Sequence, residues 1–238
     1  MSRSRLTVLG VLAVVVSAGA APVHPEVVNE RLQKYLAARI AEFDEIPPER
    51  RQQLQRLASY IRGRVDLNNP ARLTFICTHN SRRSHLCQIW AATAAAYYGV
   101  ARVETFSGGT EATAFNSRAV AALRRAGFAI DEPKSTQNPR YLVRSRADGP
   151  ARECFSKVYS EAPNPKADFC AVMTCAQADK QCPMVRGAST RIALPYDDPK
   201  AFDGTAQETA KYDERCRQIA RELLFVFSEV GSATASIR

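Results

Sequence analysis

The chain has 238 residues and a formal net charge of +9, from 33 Lys and Arg against 24 Asp and Glu. Hydrophobic residues make up 45% of the chain and charged residues 24%, a balance typical of globular rather than disordered proteins. The positive charge favours anionic partners, but the basic residues form no compact run, which argues against nucleic-acid binding.

Residues 1–20 have the pattern of a secretory signal peptide. Two arginines precede a short apolar stretch at residues 6–16, and Ala18-Gly19-Ala20 supplies the small residues of a cleavage site. The apolar stretch is too short for a comfortable bilayer span. We therefore expect an exported, periplasmic protein without a membrane anchor if translation starts at Met1. If the start is mis-assigned and lies near Val27, we expect a cytoplasmic protein.

Residues 21–69 are predicted to form an N-terminal helical hairpin. Apolar residues recur at spacings of three and four within residues 28–43, and a second such series occupies residues 54–65. Ile46-Pro47-Pro48 separates the two series, and Asn68-Asn69-Pro70 follows the second. We expect both helices to cover the domain that follows, without chemistry of their own.

Residues 70–238 are predicted to form one α/β domain. Short apolar runs alternate with helical patterns, which indicates a four-stranded parallel sheet flanked by helices. Residues 140–160 interrupt this alternation with two β-like runs around Asp148-Gly149, which predict a β-hairpin insertion. The predicted strands are residues 73–76, 103–106, 169–174 and 191–194, and the predicted helices are residues 84–98, 116–126 and 207–230.

The first strand and first helix of this domain are joined by Cys77-Thr-His-Asn-Ser-Arg-Arg83-Ser84. A short loop before a helix can turn successive backbone N–H groups toward one tetrahedral anion. The positive end of the helix dipole favours both an oxyanion and a thiolate, so Cys77 is predicted to be a nucleophile near neutral pH. Arg83 can bind two oxygens of the anion at once.

The other loop residues complete this predicted oxyanion site. Ser84 can donate a hydrogen bond to the thiolate, and Asn80 can hold the shape of the loop. A buried strand-end cysteine beside a surface arginine, without chemistry, is the alternative for this pattern. Besides Cys77 and Arg83, the predicted oxyanion-binding residues are Thr78, His79, Asn80, Ser81, Arg82 and Ser84.

At these residues the chain resembles the low-molecular-weight protein tyrosine phosphatase superfamily. The resemblance continues in Ser107-Gly-Gly-Thr-Glu-Ala112, in Asn116 and in Ala119-Val120-Ala121. It reaches Asp198-Pro199, where that superfamily keeps its general acid. The resemblance extends over residues 73–227, apart from the hairpin insertion. Because the members of this superfamily are enzymes, the resemblance implies that this protein is an enzyme.

Two chemistries share one nucleophilic loop within this superfamily. Phosphatases form a phosphocysteine and hydrolyse it with water, acting on phosphotyrosine or other phosphomonoesters. The arsenate reductases that use thioredoxin carry two further cysteines at the end of the third strand. Residues 172–183, which include Cys175 and Cys182, are similar to that reductase segment.

The similarity to the reductases implies a relay of three thiols. Cys77 would attack arsenate, Arg83 and the loop amides would stabilise the oxyanion, and Asp198 would protonate the departing oxygen. Cys175 would then form a disulfide with Cys77, and Cys182 would draw that disulfide onto a flexible segment, where a thioredoxin-like reductant resets it. We expect no cofactor and no metal, because no His lies near the cysteine pair.

Some residues depart from the pattern of the reductases. His79 stands where these enzymes usually have Gly, and Arg82 where they have a small residue or Cys, so both are predicted to make the mouth of the site bulkier and more basic. The remaining cysteines match no relay position and are predicted to be buried structural thiols. They are Cys87, Cys154, Cys170 and Cys216.

Three functions remain open at this point. The first is an arsenate reductase-like enzyme that acts on a small oxyanion. The alternative is a phosphatase acting on phosphomonoesters through the same Cys77, and export favours it because thioredoxin recycling belongs to the cytosol. The third is a non-catalytic anion-binding module, which leaves the joint presence of Cys77, Arg83 and Asp198 unexplained.

Overall fold

A computed structural model describes residues 23–133 and 137–235 of the chain. The predicted signal peptide, residues 1–20, lies outside the described residues. No helix within the described ranges is both long enough and apolar enough to cross a membrane. These ranges contain six α-helices and seven β-strands.

Two helices, α1 (Glu30–Ile40) and α2 (Pro48–Asp66), occupy the region of the predicted N-terminal hairpin, but both pack on the C-terminal helix of the chain and not mainly on each other. The name N-terminal hairpin is kept for these two helices. Asn29 caps α1 by accepting a hydrogen bond from the backbone N–H of Leu32 at 2.9 Å. A proline at the first position of α2 suits a helix start, because its missing N–H has no intrahelical partner there. The buried residues are Leu32 and Leu36 of α1 and Leu54, Leu57, Ala58 and Ile61 of α2.

The central sheet consists of β1 (Ala71–Cys77), β2 (Val103–Gly109), β6 (Phe169–Met173) and β7 (Ala188–Ala193). All neighbouring strands are parallel, in the order β2-β1-β6-β7. The two central strands are almost entirely buried, which explains their continuous apolar runs. The predicted four-stranded parallel sheet is confirmed, although β2 ends three residues later and β7 starts three residues earlier than predicted.

Three long helices flank this sheet: α3 (Arg83–Tyr97), α4 (Ser117–Ala126) and α6 (Glu208–Ala235). Helix α6 contacts α1, α2, α3 and α4, so it joins the N-terminal hairpin to the domain. Trp90 of α3 is fully buried and stacks on Tyr35 of α1 with ring centroids 5.4 Å apart. The hairpin therefore shares one core with the α/β domain.

The insertion between α4 and β6 is antiparallel, as predicted. It contains β3 (Ala129–Ile130), β4 (Tyr141–Arg144) and β5 (Arg152–Cys154), in the order β3-β4-β5. Its third strand, β3, was not predicted, because two residues are too few for an alternating pattern.

The carboxyl ends of the four parallel strands lie at one edge of the sheet. Cys77 of β1 pairs with Gly109 of β2, and Met173 of β6 pairs with both Ile76 and Ala193. The segments that follow these strands are consequently neighbours in space. Ligands of open α/β sheets bind at this edge.

Candidate active site

Cys77 is the last residue of β1 and is only 3% exposed. Its Sγ lies 3.1 Å from the hydroxyl oxygen of Ser84, in the first turn of α3. Asn80 donates a hydrogen bond to the same hydroxyl oxygen at 2.8 Å. With that oxygen accepting from Asn80, the hydroxyl proton of Ser84 is available to the sulfur. The roles predicted for Ser84 and Asn80 agree with these contacts.

The carbonyl groups of the loop after Cys77 are bound by neighbouring segments. The backbone N–H groups of Thr110 and Glu111 donate to the carbonyls of Cys77 and Thr78 at 3.1 and 3.0 Å, and Asn116 donates to Ser81 at 2.9 Å. Among the described residues, no hydrogen bond is donated by the backbone N–H groups of residues 79–83. Thr78 and Ser81 are both buried, at 5% and 8% exposure. The loop thus keeps unpaired donors for an oxyanion at a helix N-terminus.

Asn80 and Gly109 fix the curvature of this loop. Asn80 has a positive φ of 43°, a region that Asn tolerates, and its side-chain oxygen accepts from the Lys157 N–H at 2.9 Å. A Cβ on Gly109 would lie 2.7 Å from both the Asn80 nitrogen and the Thr78 oxygen. Only glycine permits this approach of β2 to the loop, which gives Ser107-Gly-Gly a structural reason.

Arg83 and Asp198 meet directly. The guanidinium of Arg83 donates to the Asp198 carboxylate at 2.7 Å and to the carbonyl oxygen of Tyr196 at 3.0 Å. Asp198 also caps the short 3₁₀ helix Pro199–Phe202 by accepting from the Lys200 N–H at 3.1 Å. An arginine and a carboxyl group therefore stand together beside the Cys77 loop, and their roles in oxyanion binding and proton donation stay predictions.

The side chain of Arg82 is turned into the protein, so the prediction that it makes the mouth of the site bulkier and more basic is wrong. It is 9% exposed and donates to the Tyr212 hydroxyl at 2.8 Å, with Asp203 3.5 Å away. His79 does lie near the surface, but its Nε2 is 2.9 Å from the Glu111 carboxylate. The neighbouring acids offset the added basic character of both residues.

Cys175 lies next to the Cys77 loop. It follows β6, is 1% exposed, and its Sγ is 3.5 Å from the hydroxyl oxygen of Thr78. The preceding residue, Thr174, donates its backbone N–H to the carbonyl of Ile76 at 2.7 Å. Cys77 and Cys175 belong to one buried cluster, against which Cys182 packs. The predicted relay residues are thus brought together.

The segment between Cys175 and Cys182 forms a helix, α5 (Ala176–Gln181), and not the flexible segment that was predicted. The sulfur of Cys175 caps this helix by accepting from the Ala178 N–H at 3.3 Å. Arg191 of β7 donates to the Cys182 carbonyl at 3.1 Å and forms an ion pair with Asp179. Six residues are too few for a helical periodicity, which explains why the sequence did not reveal α5.

The other four cysteines are buried free thiols, as predicted. Burial raises the pKa of Cys154, Cys170 and Cys216 to about 12. It also raises the pKa of Cys87. A thiol with such a pKa is protonated at neutral pH and is a poor nucleophile. These residues are therefore suited to packing and not to a thiol relay.

Two residues that support the site from distant parts of the sequence were not predicted. Lys157, which follows β5 within the insertion, donates its N–H to Asn80, and its carbonyl oxygen accepts from Gly109 at 2.9 Å. Tyr212 of α6 links Arg82 to Asp203, donating to Asp203 at 2.8 Å. No local pattern marks either residue, because both act through contacts that the tertiary fold creates.

No group of three or more His, Cys, Asp or Glu residues in the described ranges could hold a metal ion. The donors near Cys77 are backbone N–H groups of the loop, the Arg83 guanidinium and the Ser84 hydroxyl. Such donors bind a tetrahedral oxyanion next to a nucleophilic sulfur.

No protein-family model matches the chain. Curated relatives are named arsenate reductases. That of Halalkalibacterium halodurans is 27% identical over 157 residues, which cover 66% of this chain and 94% of the relative. That of Bacillus subtilis is 29% identical over the same lengths of both chains.

Solved structures with similarity to the chain include phosphatases. The YwlE arginine phosphatase of Geobacillus stearothermophilus is 13% identical, with a TM-score of 0.45 over 71% of this chain and 98% of that one. A low-molecular-weight protein tyrosine phosphatase of T. tengcongensis is 18% identical, with a TM-score of 0.41 over 64% of this chain and 95% of that one. The curated relatives and the order of the motifs support a place in the low-molecular-weight protein tyrosine phosphatase superfamily, close to its arsenate reductases.

Proposed function

We propose that the protein reduces arsenate with Cys77, Cys175 and Cys182. The observation that carries this proposal is the position of Cys175, whose sulfur lies 3.5 Å from the side chain of Thr78, the residue after Cys77. A phosphatase has no need of a second thiol beside its nucleophile. The curated relatives named arsenate reductases support the same reading.

The first step of this mechanism is a displacement at arsenic. The Cys77 thiolate attacks arsenate bound by the loop amides and Arg83, and a sulfur–arsenic bond replaces an arsenic–oxygen bond. The Asp198 carboxyl group donates a proton to the departing oxygen, which leaves as water. Arg83 must turn from Asp198 toward the oxyanion for this step, since Asp198 occupies its guanidinium at 2.7 Å.

The second step moves two electrons to arsenic. The Cys175 thiolate attacks the sulfur of Cys77, the electron pair of the sulfur–arsenic bond stays with arsenic, and arsenite leaves. Cys182 then attacks the sulfur of Cys175, which releases the Cys77 thiolate and forms the Cys175–Cys182 disulfide. A thioredoxin-like dithiol completes the cycle by reducing that disulfide.

The second candidate is hydrolysis of phosphomonoesters. Cys77, Arg83 and Asp198 suffice for it, because the phosphocysteine needs only water for its breakdown. The observation that favours it is the anchoring of Cys175, which is buried and serves as the cap of α5. In this reading Cys175 and Cys182 are structural.

One purified protein, assayed for two products, tests the proposal. We expect arsenite release that depends on an added dithiol reductant, and p-nitrophenyl phosphate hydrolysis that is slower and independent of the reductant. Hydrolysis without any arsenite release would favour the phosphatase.

Cys77→Ser should lower both rates by at least about 10³-fold, because both reactions need the nucleophile. Cys87→Ser, at a buried cysteine of the helix that follows the loop, is the matched control and should retain both activities.

A further inference from the structure

The N-terminal hairpin contacts the segment that carries Asp198. Arg50 of α2 places its guanidinium carbon 4.6 Å from the centre of the Tyr196 ring, a cation–π contact. The same guanidinium donates to the Glu222 carboxylate of α6 at 2.9 Å. Tyr196 and Glu222 are 4% and 1% exposed, so both contacts are shielded from water.

Tyr196 in turn contacts the residues of the active site through its backbone. Its carbonyl oxygen accepts from Arg83 at 3.0 Å, and its N–H donates to the carbonyl of Thr174 at 3.1 Å. Asp198 follows two residues later along the chain. A shift of the Tyr196 ring would therefore displace a ligand of Arg83 and the start of the Asp198 segment together.

A second connection runs along α6. Gln218 donates to Glu222 at 3.0 Å and accepts from Arg215. Arg215 lies 3.5 Å from the carboxylate of Asp197, the neighbour of Asp198. The Asp197 side chain is 97% exposed, so this last contact is weak, and the path through Tyr196 is the stronger one.

Docking of the hairpin does not depend on Arg50 alone. Helix α2 already buries an apolar stripe, and a buried ion pair such as Arg50–Glu222 is often no more stabilising than apolar side chains of similar size. The fold gains from this pair a fixed arrangement of α2, α6 and Tyr196. The contacts of Arg50 therefore account for the relative positions of α2, α6 and Tyr196, and not for added stability.

We infer that Arg50 is a positioning residue for the general acid. It holds Tyr196, and through Tyr196 it keeps Asp198 facing Arg83 and the oxyanion loop. This inference rests on the proposed role of Asp198. The N-terminal hairpin would then help to position Asp198, in addition to covering the domain.

The leaving group of the substrate reports this role. An ester with an acidic phenol departs without help, whereas an ester with a weakly acidic phenol needs a well-placed proton donor. When Cys77 attacks an aryl phosphate, the phenol leaves. This displacement corresponds to the first step of both candidate reactions. A misplaced Asp198 should therefore slow this release more as the acidity of the phenol decreases.

The experiment compares Arg50→Gln with Arg62→Gln in the full chain. Arg62 lies on the same helix and also ties α2 to α6, by donating to the Glu229 carbonyl at 2.8 Å. Phenol release would be measured for a series of aryl phosphates of graded phenol acidity, with Asp198→Asn as the reference. Thermal melting would establish that each variant folds, and protection of Cys77 from alkylation by inorganic phosphate would report oxyanion binding.

We expect Arg50→Gln to lose about tenfold in rate with the least acidic phenol, part of the full effect of a general acid, and little with the most acidic one. The protection of Cys77 by the oxyanion should stay unchanged. Arg62→Gln should match the wild type across the series, and Arg50→Lys, which keeps the cation, should lose less activity than Arg50→Gln.

A loss that is uniform across the series, or shared with Arg62→Gln, would overturn the inference. If Asp198→Asn shows the dependence on leaving group and Arg50→Gln does not, only the inference fails. If Asp198→Asn lacks the dependence, the general-acid role fails with it.

Discussion

The cysteines differ in the groups that surround their sulfur atoms. Cys77 has the Ser84 hydroxyl 3.1 Å from its sulfur and stands before the N-terminus of α3. Burial is the main cause that raises the pKa of Cys154, Cys170 and Cys216 to about 12, and the Trp90 indole N–H, 3.3 Å from the Cys216 sulfur, does not offset it. These surroundings favour the proposed role of Cys77 as the nucleophile and a packing role for the buried thiols.

Asp198→Asn tests the proton donor. The amide keeps an oxygen for Arg83, so oxyanion binding should change little. The rate of turnover should fall by about 10²–10⁴, the usual contribution of a general acid. Steady-state kinetics with separate kcat and KM measure this split, and Asp197→Asn, one residue away and exposed, is the matched control. A change confined to KM would show that Asp198 binds substrate without donating a proton.

His85 gives a prediction about pH and stability. It is fully buried, its Nδ1 lies 3.2 Å from the Ser107 hydroxyl, and burial lowers its pKa well below the ordinary value. As the pH falls below about 6.5, the unfolded chain therefore takes up a proton that the folded chain resists. The free energy of unfolding should decrease by up to about 1.4 kcal/mol per pH unit from this group alone, until the folded His85 itself becomes protonated.

Urea unfolding of wild type and His85→Asn between pH 6.5 and 4.5 measures this contribution. The variant should lose stability less steeply with acid than the wild type, whatever its stability at neutral pH. Equal slopes in the two proteins would contradict the prediction.

Helix α5 is the element on which the proposed relay depends. A straight helix rises about 1.5 Å per residue, so an intact α5 holds the Cα atoms of Cys175 and Cys182 about 10 Å apart. A disulfide needs about 4.4–6.8 Å between these atoms. Formation of the Cys175–Cys182 bond therefore requires α5 to unwind, and the cap that Cys175 provides is lost in the same event.

Trypsin cleavage at Lys180, an exposed residue within α5, reports this unwinding. Protein treated with arsenate should be cut there several times faster than reduced protein, because proteolysis needs local opening. Cys182→Ser should trap the Cys77–Cys175 disulfide after one turnover and should keep the slow cleavage, because the ends of α5 stay unlinked. Equal cleavage of reduced and arsenate-treated wild type would contradict the unwinding.

The loop from Cys77 to Ser84 was predictable because its parts are adjacent in sequence and its flanking strand and helix have strong patterns. The position of Asp198 and the cysteine pair came from the resemblance to a family and not from local pattern. Lys157, Tyr212 and Arg50 could not be predicted, since each reaches the site through a tertiary contact. Arg82 was misjudged for the same reason: its hydrogen-bond partner Tyr212 lies on α6, far along the chain.

On the scale of the whole molecule, the parallel sheet assembles the site from distant segments. Cys77, Gly109, Thr174 and Tyr196 follow or end different strands, yet hydrogen bonds join the segments at one edge. The N-terminal hairpin completes this arrangement through α6 and Tyr196. The proposed three-thiol reduction of arsenate would use all of these parts, so its test uses the full chain.

The most direct test incubates fully reduced protein with arsenate, without any external reductant, and maps its cysteines by peptide mass spectrometry. Phosphate, which has the same shape but accepts no electrons here, is the control oxyanion. We expect a Cys175–Cys182 disulfide and one arsenite per protein molecule, with Cys77 returned to a free thiol. No disulfide above the phosphate control, with p-nitrophenyl phosphate hydrolysis intact, would contradict the reductase and leave the phosphatase.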